Sequence, residues 1–252
     1  MNISGIELTG LDITNNFISS TGITTSSLFI HLDASNPSSY SGTGSTWVDI
    51  SGNGIDANIS GATFSATDGG LFDFDGSTST ISLGNNSNLS LSTSAQRTIQ
   101  VWVKFDTLPA LNTNMPVFGK LSSGFGFDGY WSGLYSNSGL LRSVTNGTSV
   151  QRVLDSTSSI STNTWYFYTF ISQISSTSNT TKVYINTTEY ITGAHGSDSY
   201  NETNPLYLGY IGAGVGSTYL DGKIGACYFY TKGLSLTEIT DNFNATKTRF
   251  GL

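Results

Sequence analysis

The 252-residue chain has 10 Lys+Arg against 17 Asp+Glu, a formal net charge of −7, and charged residues make up only 11% of it. Few, scattered basic residues in an acidic chain exclude a nucleic-acid-binding surface, and no apolar run reaches the roughly 18 residues that cross a bilayer. The hydrophobic fraction of 37% is adequate for a core at this length and argues against wholesale disorder.

The first 26 residues differ from the rest, because their apolar side chains occur singly among Ser, Thr, Asn and Gly. Two interpretations remain open: a first strand or loose leader, or an extended arm that docks on a partner. The opening residues 1–7 show neither a basic region nor an apolar run, so we expect no secretory signal. The single Cys227 excludes an internal disulfide and is expected to be a small buried hydrophobe.

Strand signals then recur along the chain, bounded by Gly, Asn, Ser and Asp. Residues 98–105 alternate most cleanly, with Ile99, Val101, Val103 and Phe105 facing one way and Trp102 the other. Many short strands without alternating helices predict an antiparallel sandwich. The predicted strands are 28–33, 71–75, 80–83, 98–105, 116–120, 125–127, 133–135, 140–144, 149–154, 165–174, 181–185, 206–211 and 222–230.

One helix is predicted near the end of the chain. Ser235 and Glu238 have the spacing of a capping box, in which each side chain binds the other's backbone amide. Leu236, Ile239 and Phe243 follow at helical spacing, to roughly residue 245. We expect this helix to close one end of the sandwich.

The order of these segments resembles the concanavalin A-like lectin/glucanase superfamily, in its laminin-G-like branch. The resemblance covers residues 27–252 as one domain after the arm 1–26, and it implies an all-β jelly-roll sandwich of two curved antiparallel sheets. The superfamily includes glycan-binding modules, hydrolases and structural domains, so the fold does not determine the function. The matching pieces are 32–40, 47–54, 72–76, 99–103, 165–168, 182–186, 205–209, 220–225, 234–239 and 242–245.

Oxygen-bearing side chains alternate in residues 49–54 and a Gly follows, as in calcium loops. Ser60 stands where an EF-type loop has Glu, so the segment is no EF-hand. The resemblance implies one structural calcium ion, with Asp49 and Asn53 as ligands and Asp75 and Asp221 completing the site. The alternative is an Asx-turn in a hairpin.

Catalytic patterns are scarce. Glycoside hydrolysis needs two carboxylates flanking the bond, whereas the chain has four Glu, none in the alternating motif of the glucanases it resembles. His31 and His195 have no Gly-x-Ser-x-Gly partner. Residues 124–129 match Gly-x-Gly-x-x-Gly but lack the surrounding βαβ unit, which excludes a dinucleotide site. We predict no enzymatic activity.

An aromatic cluster with polar neighbours gives the predicted ligand site. Sugar faces stack on aromatic rings while Asp and Asn bind hydroxyl groups, a mixture typical of binding sites. The alternative is that these aromatic residues belong to the core. The predicted ligand-binding residues are Asp128, Tyr130, Trp131, Tyr135 and Asn137; Phe125 and Phe127 accompany them, and Tyr200 and Tyr210 are secondary candidates.

Three functions follow from these patterns. The first is a non-enzymatic virion protein, such as a phage capsid decoration, fibre or tail component, anchored to other virion proteins through residues 1–26. Such a protein would be made in the host cytoplasm, displayed on the particle exterior as a homo-oligomer, and able to bind host-surface glycans. The second is a free, extracellular carbohydrate-binding module or cell-surface adhesin. The third is a glycoside hydrolase. Neither nucleic-acid binding nor membrane insertion is expected.

Overall fold

The structure is a computed structural model that describes residues 22–91, 96–122, 128–146, 151–174, 179–194, 204–212 and 218–252. The strands it contains are β1 (Leu28–Asp33), β2 (Thr46–Trp47), β3 (Ala57–Ser60), β4 (Thr63–Ser65), β5 (Leu71–Asp75), β6 (Thr80–Ser82), β7 (Arg97–Phe105), β8 (Asn114–Leu121), β9 (Gly129–Tyr135), β10 (Leu140–Asn146), β11 (Gln151–Ser159), β12 (Trp165–Ile174), β13 (Asn179–Ile185), β14 (Thr188–Ala194), β15 (Tyr207–Leu208) and β16 (Asp221–Tyr230). The helices are α1 (Leu236–Thr246) and the 3-10 turns Thr67–Gly69, Ser87–Leu89 and Lys247–Phe250.

The strands form two sheets of eight strands each, and neighbouring strands within each sheet pair antiparallel. In sheet 1 the order is β14-β13-β12-β7-β16-β5-β4, with β1 also paired to β16. In sheet 2 the order is β11-β10-β9-β8-β15-β6-β3-β2. The predicted all-β sandwich is thereby confirmed, and its form is consistent with a jelly roll.

The core lies between the inner faces of the two sheets. Ile99, Val101, Val103 and Phe105 of β7 are fully buried there, as their alternation predicts, while Trp102 points away from them into a second apolar cluster. Cys227 is also buried, and burial raises the pKa of its thiol to about 12. Its predicted role as a small buried hydrophobe is confirmed.

The C-terminal helix begins as predicted. The Ser235 hydroxyl accepts a hydrogen bond from the Glu238 amide, and the Glu238 carboxylate accepts one from the Ser235 amide. Its location differs from the prediction, because α1 covers the outer face of sheet 1 and does not close an end. The indole Nε1 of Trp102 donates to Thr246 Oγ1 at 2.9 Å, and the Trp102 ring stacks on Phe250 with centroids 4.1 Å apart.

Polar contacts fix the helix and the following turn on sheet 1. Asn242 is fully buried and donates to Gln100 Oε1 at 2.6 Å and to the Tyr230 hydroxyl at 2.9 Å. The Arg249 guanidinium forms an ion pair with Asp33 at 2.6 Å and donates to the carbonyls of Gly70 and Gly225. The last helical turns are thus tied to β1, to β16 and to the segment before β5.

Several observed strands were not predicted from the alternation of apolar and polar residues. The short strands β2, β3 and β4 and the edge strand β14 were not predicted, and β15 is shorter than the predicted 206–211. The predicted strand 125–127 lies outside the described residues. The strands β2, β3 and β4 have two to four residues and so few alternating positions that their periodicity is too weak to recognise.

The segment preceding β1 contacts the C-terminal helix. The Thr24 amide donates to Asn242 Oδ1 at 2.6 Å, and Ile23 packs against the cluster under α1. Residues 1–21, most of the predicted arm, lie outside the described part of the chain. Among the described residues no helix is both long and apolar enough to cross a membrane.

The packing of α1 predicts a large effect at Phe250. Its ring is 6% exposed and lies against Trp102 and Trp165. We expect Phe250→Ala to lower the free energy of unfolding in urea by about 3 kcal/mol, since it removes a buried aromatic ring. Leu236 is 53% exposed at the start of α1, so Leu236→Ala should cost less than about 1 kcal/mol. Equal losses in the two variants would contradict this arrangement.

Candidate functional site

A polar cavity of about 400 Å³ lies at one end of the sandwich, and we refer to it as the rim pocket. It forms where the connection from β7 to β8 passes from sheet 1 to sheet 2, close to the end of β5 and the start of β16. The residues that line it are Asp75, Gly76, Thr107, Leu108, Pro109, Ala110, Thr113, Asn114, Met115, Thr218, Tyr219 and Asp221.

Two buried polar atoms of the rim pocket have no hydrogen-bond partner within the described residues. They are Oδ1 of Asn114, at the start of β8, and Oγ1 of Thr218, before β16. A buried polar atom without a partner costs about 1–3 kcal/mol, so folded proteins rarely keep one without a reason. Both side chains can bind a polar ligand that enters the cavity.

Three tyrosines form a continuous aromatic surface beside the pocket, which we call the tyrosine row. Tyr207 meets Tyr210 edge-on with ring centroids 5.4 Å apart, and Tyr210 stacks on Tyr219 at 4.8 Å. All three are half-buried, so part of each side chain remains accessible. Partial burial, followed by the neighbouring Tyr219 and Tyr207, raises the pKa of Tyr210 and keeps its phenol neutral.

The tyrosine row joins the rim pocket to sheet 2. Tyr207 of β15 lies directly opposite Gly119 of β8 and Ser82 of β6, so its side chain is on the outer face of the sheet with those residues. Tyr219 lines the rim pocket. The row therefore runs from the outer face of sheet 2 into the cavity.

Asp75 closes the turn after β5. Its Oδ1 accepts hydrogen bonds from the amides of Ser77, Thr78 and Ser79 at 2.8–3.0 Å, and its Oδ2 accepts from the hydroxyls of Ser77 and Thr78. These bonds, that of the Thr78 hydroxyl first, hold the pKa of Asp75 far below its ordinary value. The carboxylate stays ionised and is fully used within the turn.

Asp221 is the second carboxylate of the pocket. It lies directly opposite Asp75 in the ladder between β16 and β5, and its Oδ2 accepts a hydrogen bond from Thr107 Oγ1 at 2.5 Å. The structure therefore brings two of the four predicted calcium ligands together, at the mouth of the rim pocket.

The other two predicted calcium ligands belong to a different loop. Asp49 accepts from the amides of His31, Ser51 and Ile55 and from the Ser51 hydroxyl, at 2.8–3.1 Å. The Asn53 side-chain amide donates to backbone carbonyls of β1. These are the bonds of an Asx-turn that ties the loop to β1, the alternative interpretation of this motif.

The two pairs lie far apart along β16. His31, which binds Asp49, faces Tyr228, and the strand from Asp221 to Tyr228 is roughly 23 Å long at about 3.3 Å per residue. The four predicted ligands therefore do not form one site. Calcium takes about six to eight oxygen ligands, and no group of three or more His, Cys, Asp or Glu among the described residues could hold a metal ion. These residues do not fit the implied ion.

The predicted ligand-binding residues of β9 are divided between the two faces of sheet 2. Tyr130 is fully buried in the core, where its ring stacks on Phe170 and its hydroxyl donates to the Leu89 carbonyl at 2.6 Å. Its inclusion in the ligand site is therefore corrected: it is a core residue, because the period-two alternation of β9 turns it inward and its neighbour Trp131 outward.

Trp131 lines a smaller cavity of about 140 Å³ on the outer face of sheet 2, the outer groove. Its ring is only 4% exposed, because it packs with Leu121, Val144 and Ile211. It forms the floor of the groove and offers little surface for stacking. The residues that line the groove are Asn114, Leu121, Trp131, Arg142, Val144, Asn146, Gln151 and Val153.

The remaining predicted ligand residues are dispersed. The Arg142 guanidinium covers one face of the Tyr135 ring, 3.3 Å from the ring centroid. The Tyr135 hydroxyl donates a hydrogen bond to Asn112 Oδ1. Asn137 is exposed in the turn after β9, and Asp128 lies just before that strand. The residues Phe125, Phe127, His195 and Tyr200 lie outside the described part of the chain.

Comparison with known proteins places this fold in a family. A family model described as the concanavalin A-like lectin/glucanases superfamily matches residues 74–240, more than half of the chain. The chain belongs to this superfamily. The resemblance inferred from its motifs is thus confirmed, and the superfamily domain includes both Asp75 and Asp221. In sequence comparison, no curated protein matches the chain.

Solved structures share the fold of this superfamily domain at low identity. The binding domain of Paraclostridial mosquitocidal protein 1 is 15% identical with a TM-score of 0.66, over 87% of this chain and 52% of that one. The binding domain of botulinum neurotoxin DC in complex with SialylT is 15% identical with a TM-score of 0.66, over 88% and 52%. A trans-sialidase-active mutant of Trypanosoma rangeli sialidase is 16% identical with a TM-score of 0.65, over 90% and 34%. The chain spans about half the length of the first of these.

The main features of the site were not recognised from the sequence. Asn114, Thr218, Tyr207 and Tyr219 were not proposed as site residues, and Tyr210 was only a secondary candidate. A signal was present, since Tyr207 and Tyr210 belong to or follow the matching piece 205–209, and Tyr219 directly precedes the piece 220–225. Only the strand pairing brings these segments together.

The turn at Asp75 gives a pH-dependent prediction. A depressed folded-state pKa contributes stability that is present above the unfolded pKa of about 3.9 and is lost as pH falls. Asp75→Asn should lower the free energy of unfolding by about 1 kcal/mol at pH 7, since the carboxylate is exposed, and the difference from wild type should narrow below about pH 4. Urea titrations from pH 3 to 7 test this, with Asp241→Asn on α1 as the charge-matched control. A difference that does not change with pH would contradict it.

Proposed function

We propose that the chain is a non-enzymatic carbohydrate-binding domain, with its site at the rim pocket and the tyrosine row. One observation carries the proposal: accessible, mutually packed tyrosines lie directly beside a polar cavity that contains two unpaired buried polar atoms. Carbohydrate ligands combine apolar C–H faces with hydroxyl groups. A site that offers aromatic surface and fixed hydrogen-bonding groups matches both.

The polar atoms are suited to hydroxyl ligands. Oδ1 of Asn114 is an acceptor, and Oγ1 of Thr218 both donates and accepts. A sugar hydroxyl can satisfy each of them in the rim pocket, and binding then recovers hydrogen bonds that the free protein lacks. This gain depends on ligand hydroxyl groups, so apolar molecules of similar size should bind poorly.

The carboxylates of the pocket favour binding over hydrolysis. A glycosidase needs one protonated carboxyl as acid and a second carboxylate free to act as base or nucleophile. Asp75 is held ionised, and both its oxygens are occupied by the turn. Asp73 is 3.6 Å from the Lys223 ammonium, an ion pair on sheet 1. With Asp75 occupied by its turn, Asp221 is the one carboxylate of the rim pocket's described lining that remains, and hydrolysis would need a second.

The similar structures are consistent with a glycan ligand. The botulinum neurotoxin DC binding domain was solved with SialylT, and Trypanosoma rangeli sialidase with sialic acid. At 15% and 18% identity these likenesses establish the fold alone. For this chain, the argument for carbohydrate rests on the rim pocket and the tyrosine row.

The finer proposal is display on a virion, as a capsid decoration, fibre or tail component. It is supported by the low charge and by the abundance of Ser, Thr, Asn and Gly on an antiparallel sandwich, a composition suited to an outward-facing surface. The first described residues contact α1, since the Thr24 amide donates to Asn242 Oδ1. In this proposal, that segment docks on other virion proteins and sheet 2 faces outward.

The binding site is tested by removing the middle tyrosine of the row. Tyr210→Ala should weaken binding of the best ligand from an oligosaccharide panel about five- to tenfold, since loss of one aromatic stacking surface costs about 1 kcal/mol. Isothermal titration calorimetry measures the change. Tyr190→Ala, at a half-buried tyrosine of β14 in sheet 1, is the matched control and should leave affinity unchanged. Equal affinities for all three proteins would refute this location.

The display proposal has a separate test. Deletion of residues 2–21 should abolish incorporation of the chain into purified particles from the system that encodes it, while the sandwich keeps its thermal unfolding transition. Immunodetection in gradient-purified particles and circular dichroism measure the two outcomes. Retention of the truncated chain on particles would show that the anchor lies elsewhere, and absence of the full-length chain from particles would refute virion display.

A further inference from the structure

We propose that the preferred ligand is an uncharged oligosaccharide of several sugar units, which runs from the rim pocket past Asn114 into the outer groove, and that acidic sugars are disfavoured. This inference rests on the proposed carbohydrate-binding function. Beyond that function, the inference specifies the charge of the ligand and the path that the ligand follows over the protein surface. Two of the similar structures were solved with sialic acid and with SialylT, and the inference separates this chain from those two.

The path follows from the position of Asn114, which lines both cavities. It is the first residue of β8 and lies opposite Tyr135 of β9, on the outer face of sheet 2. One side chain thus separates a cavity of about 400 Å³ from one of about 140 Å³. Because its Oδ1 is unpaired among the described residues, a ligand that crosses between the cavities meets an available acceptor at the junction.

The outer groove has the composition of a sugar subsite. Its floor is the small apolar cluster that contains Leu121, Trp131 and Val144, and Asn146 and Gln151 contribute amide groups to its lining. An apolar floor with polar sides fits the amphipathic surface of a sugar ring.

The charge class follows from the titratable groups of both cavities. The rim pocket is lined by the carboxylates of Asp75 and Asp221 and by no Lys or Arg. In the outer groove the cation is Arg142, whose guanidinium is bound by both oxygens of Asp155 at 2.6 Å and lies on Tyr135. Its charge is therefore already compensated.

The nearby lysine side chains are also bound to other groups of the protein. The Lys223 ammonium binds Asp106 and lies 3.6 Å from Asp73, and the buried Lys120 ammonium donates to Asn85 Oδ1 and to the Asn204 carbonyl. A carboxylate sugar in the rim pocket would meet two like charges without a cation to offset them. Like-charge contacts of this kind penalise binding and set selectivity. A neutral sugar avoids this cost.

The experiment compares matched ligands. Neutral oligosaccharides of two to six units, and the same oligosaccharides with one terminal sialic or uronic acid, are titrated into the full chain by calorimetry at low and high NaCl. We expect the best neutral ligand to bind at least tenfold more tightly than its acidic counterpart. Its affinity should increase with length and change little with salt, since no ion pair forms.

Two variants test the charge and the path. Asp221→Asn keeps an oxygen acceptor for Thr107 and removes one charge, so it should reduce the preference for the neutral ligand at least threefold. The charge-matched control, Asp241→Asn, should leave the preference intact. Asn114→Ala should abolish most of the gain in affinity from a longer ligand, while Asn244→Ala, at an exposed residue of α1 on sheet 1, should not.

The outcomes distinguish the inference from the proposed function. If the acidic ligands bind as tightly as the neutral ones, or Asp221→Asn leaves the preference unchanged, the charge class is wrong while carbohydrate binding stands. If Asn114→Ala binds long and short ligands like wild type, the path is wrong. If wild type binds no oligosaccharide of the panel, or Tyr210→Ala has no effect on any that binds, the proposed function or its location fails, and the inference fails with it.

Discussion

The burial of Trp102 under the C-terminal helix determines which surface of the sandwich stays open. Trp102 lies on the outer side of β7, in the middle of sheet 1, and an indole there would be exposed in a bare two-sheet sandwich. Phe250 and Phe243 stack on it, and Thr246 accepts a hydrogen bond from its Nε1. The centre of sheet 1 is therefore covered on both faces. Sheet 2 keeps an outer face for ligands.

Polar groups differ between the region under α1 and the rim pocket. Under α1 and in the loop after β1, polar side chains are bonded internally: Asn242 binds Gln100 and Tyr230, and the Asp49 carboxylate accepts four hydrogen bonds in its turn. At the rim pocket, Asn114 and Thr218 each keep a buried atom without a partner among the described residues. Where polar atoms are fully paired, they stabilise the fold. Where they are left unpaired beside a cavity, they are available to a ligand.

The sequence was sufficient for the architecture and only partly for the site. Alternation in β7 and the capping box at Ser235 are local rules, so they predict a strand face and a helix start correctly. The location of α1 depends on a complementary surface around Trp102, which no periodicity within the helix reveals. The choice between Tyr130 and Trp131 likewise depends on which side of β9 faces the core, and strand pairing decides that.

The site itself comes from distant segments. Asn114, Thr218 and Asp221 lie on three separate parts of the chain, and the crossing of β7 to β8 over the end of β16 brings them together. Asp75 and Asp221 were recognised as a pair, because both occur in matching pieces of the superfamily. The hydrogen bonds that occupy Asp75 within its turn are not specified residue by residue by any sequence motif.

The attachment of Arg249 has a consequence for the order of folding on the ribosome. Its guanidinium bridges Asp33, near the start of the domain, to carbonyls of the segment before β5 and of β16. These groups are synthesised long before Arg249. During translation they therefore lack the Arg249 guanidinium, and Trp102 lacks the helix that packs on it. A nascent sandwich must therefore expose an aromatic surface until the last helical turns emerge. Chaperone contact is expected in that interval, and release should follow docking of the final turn.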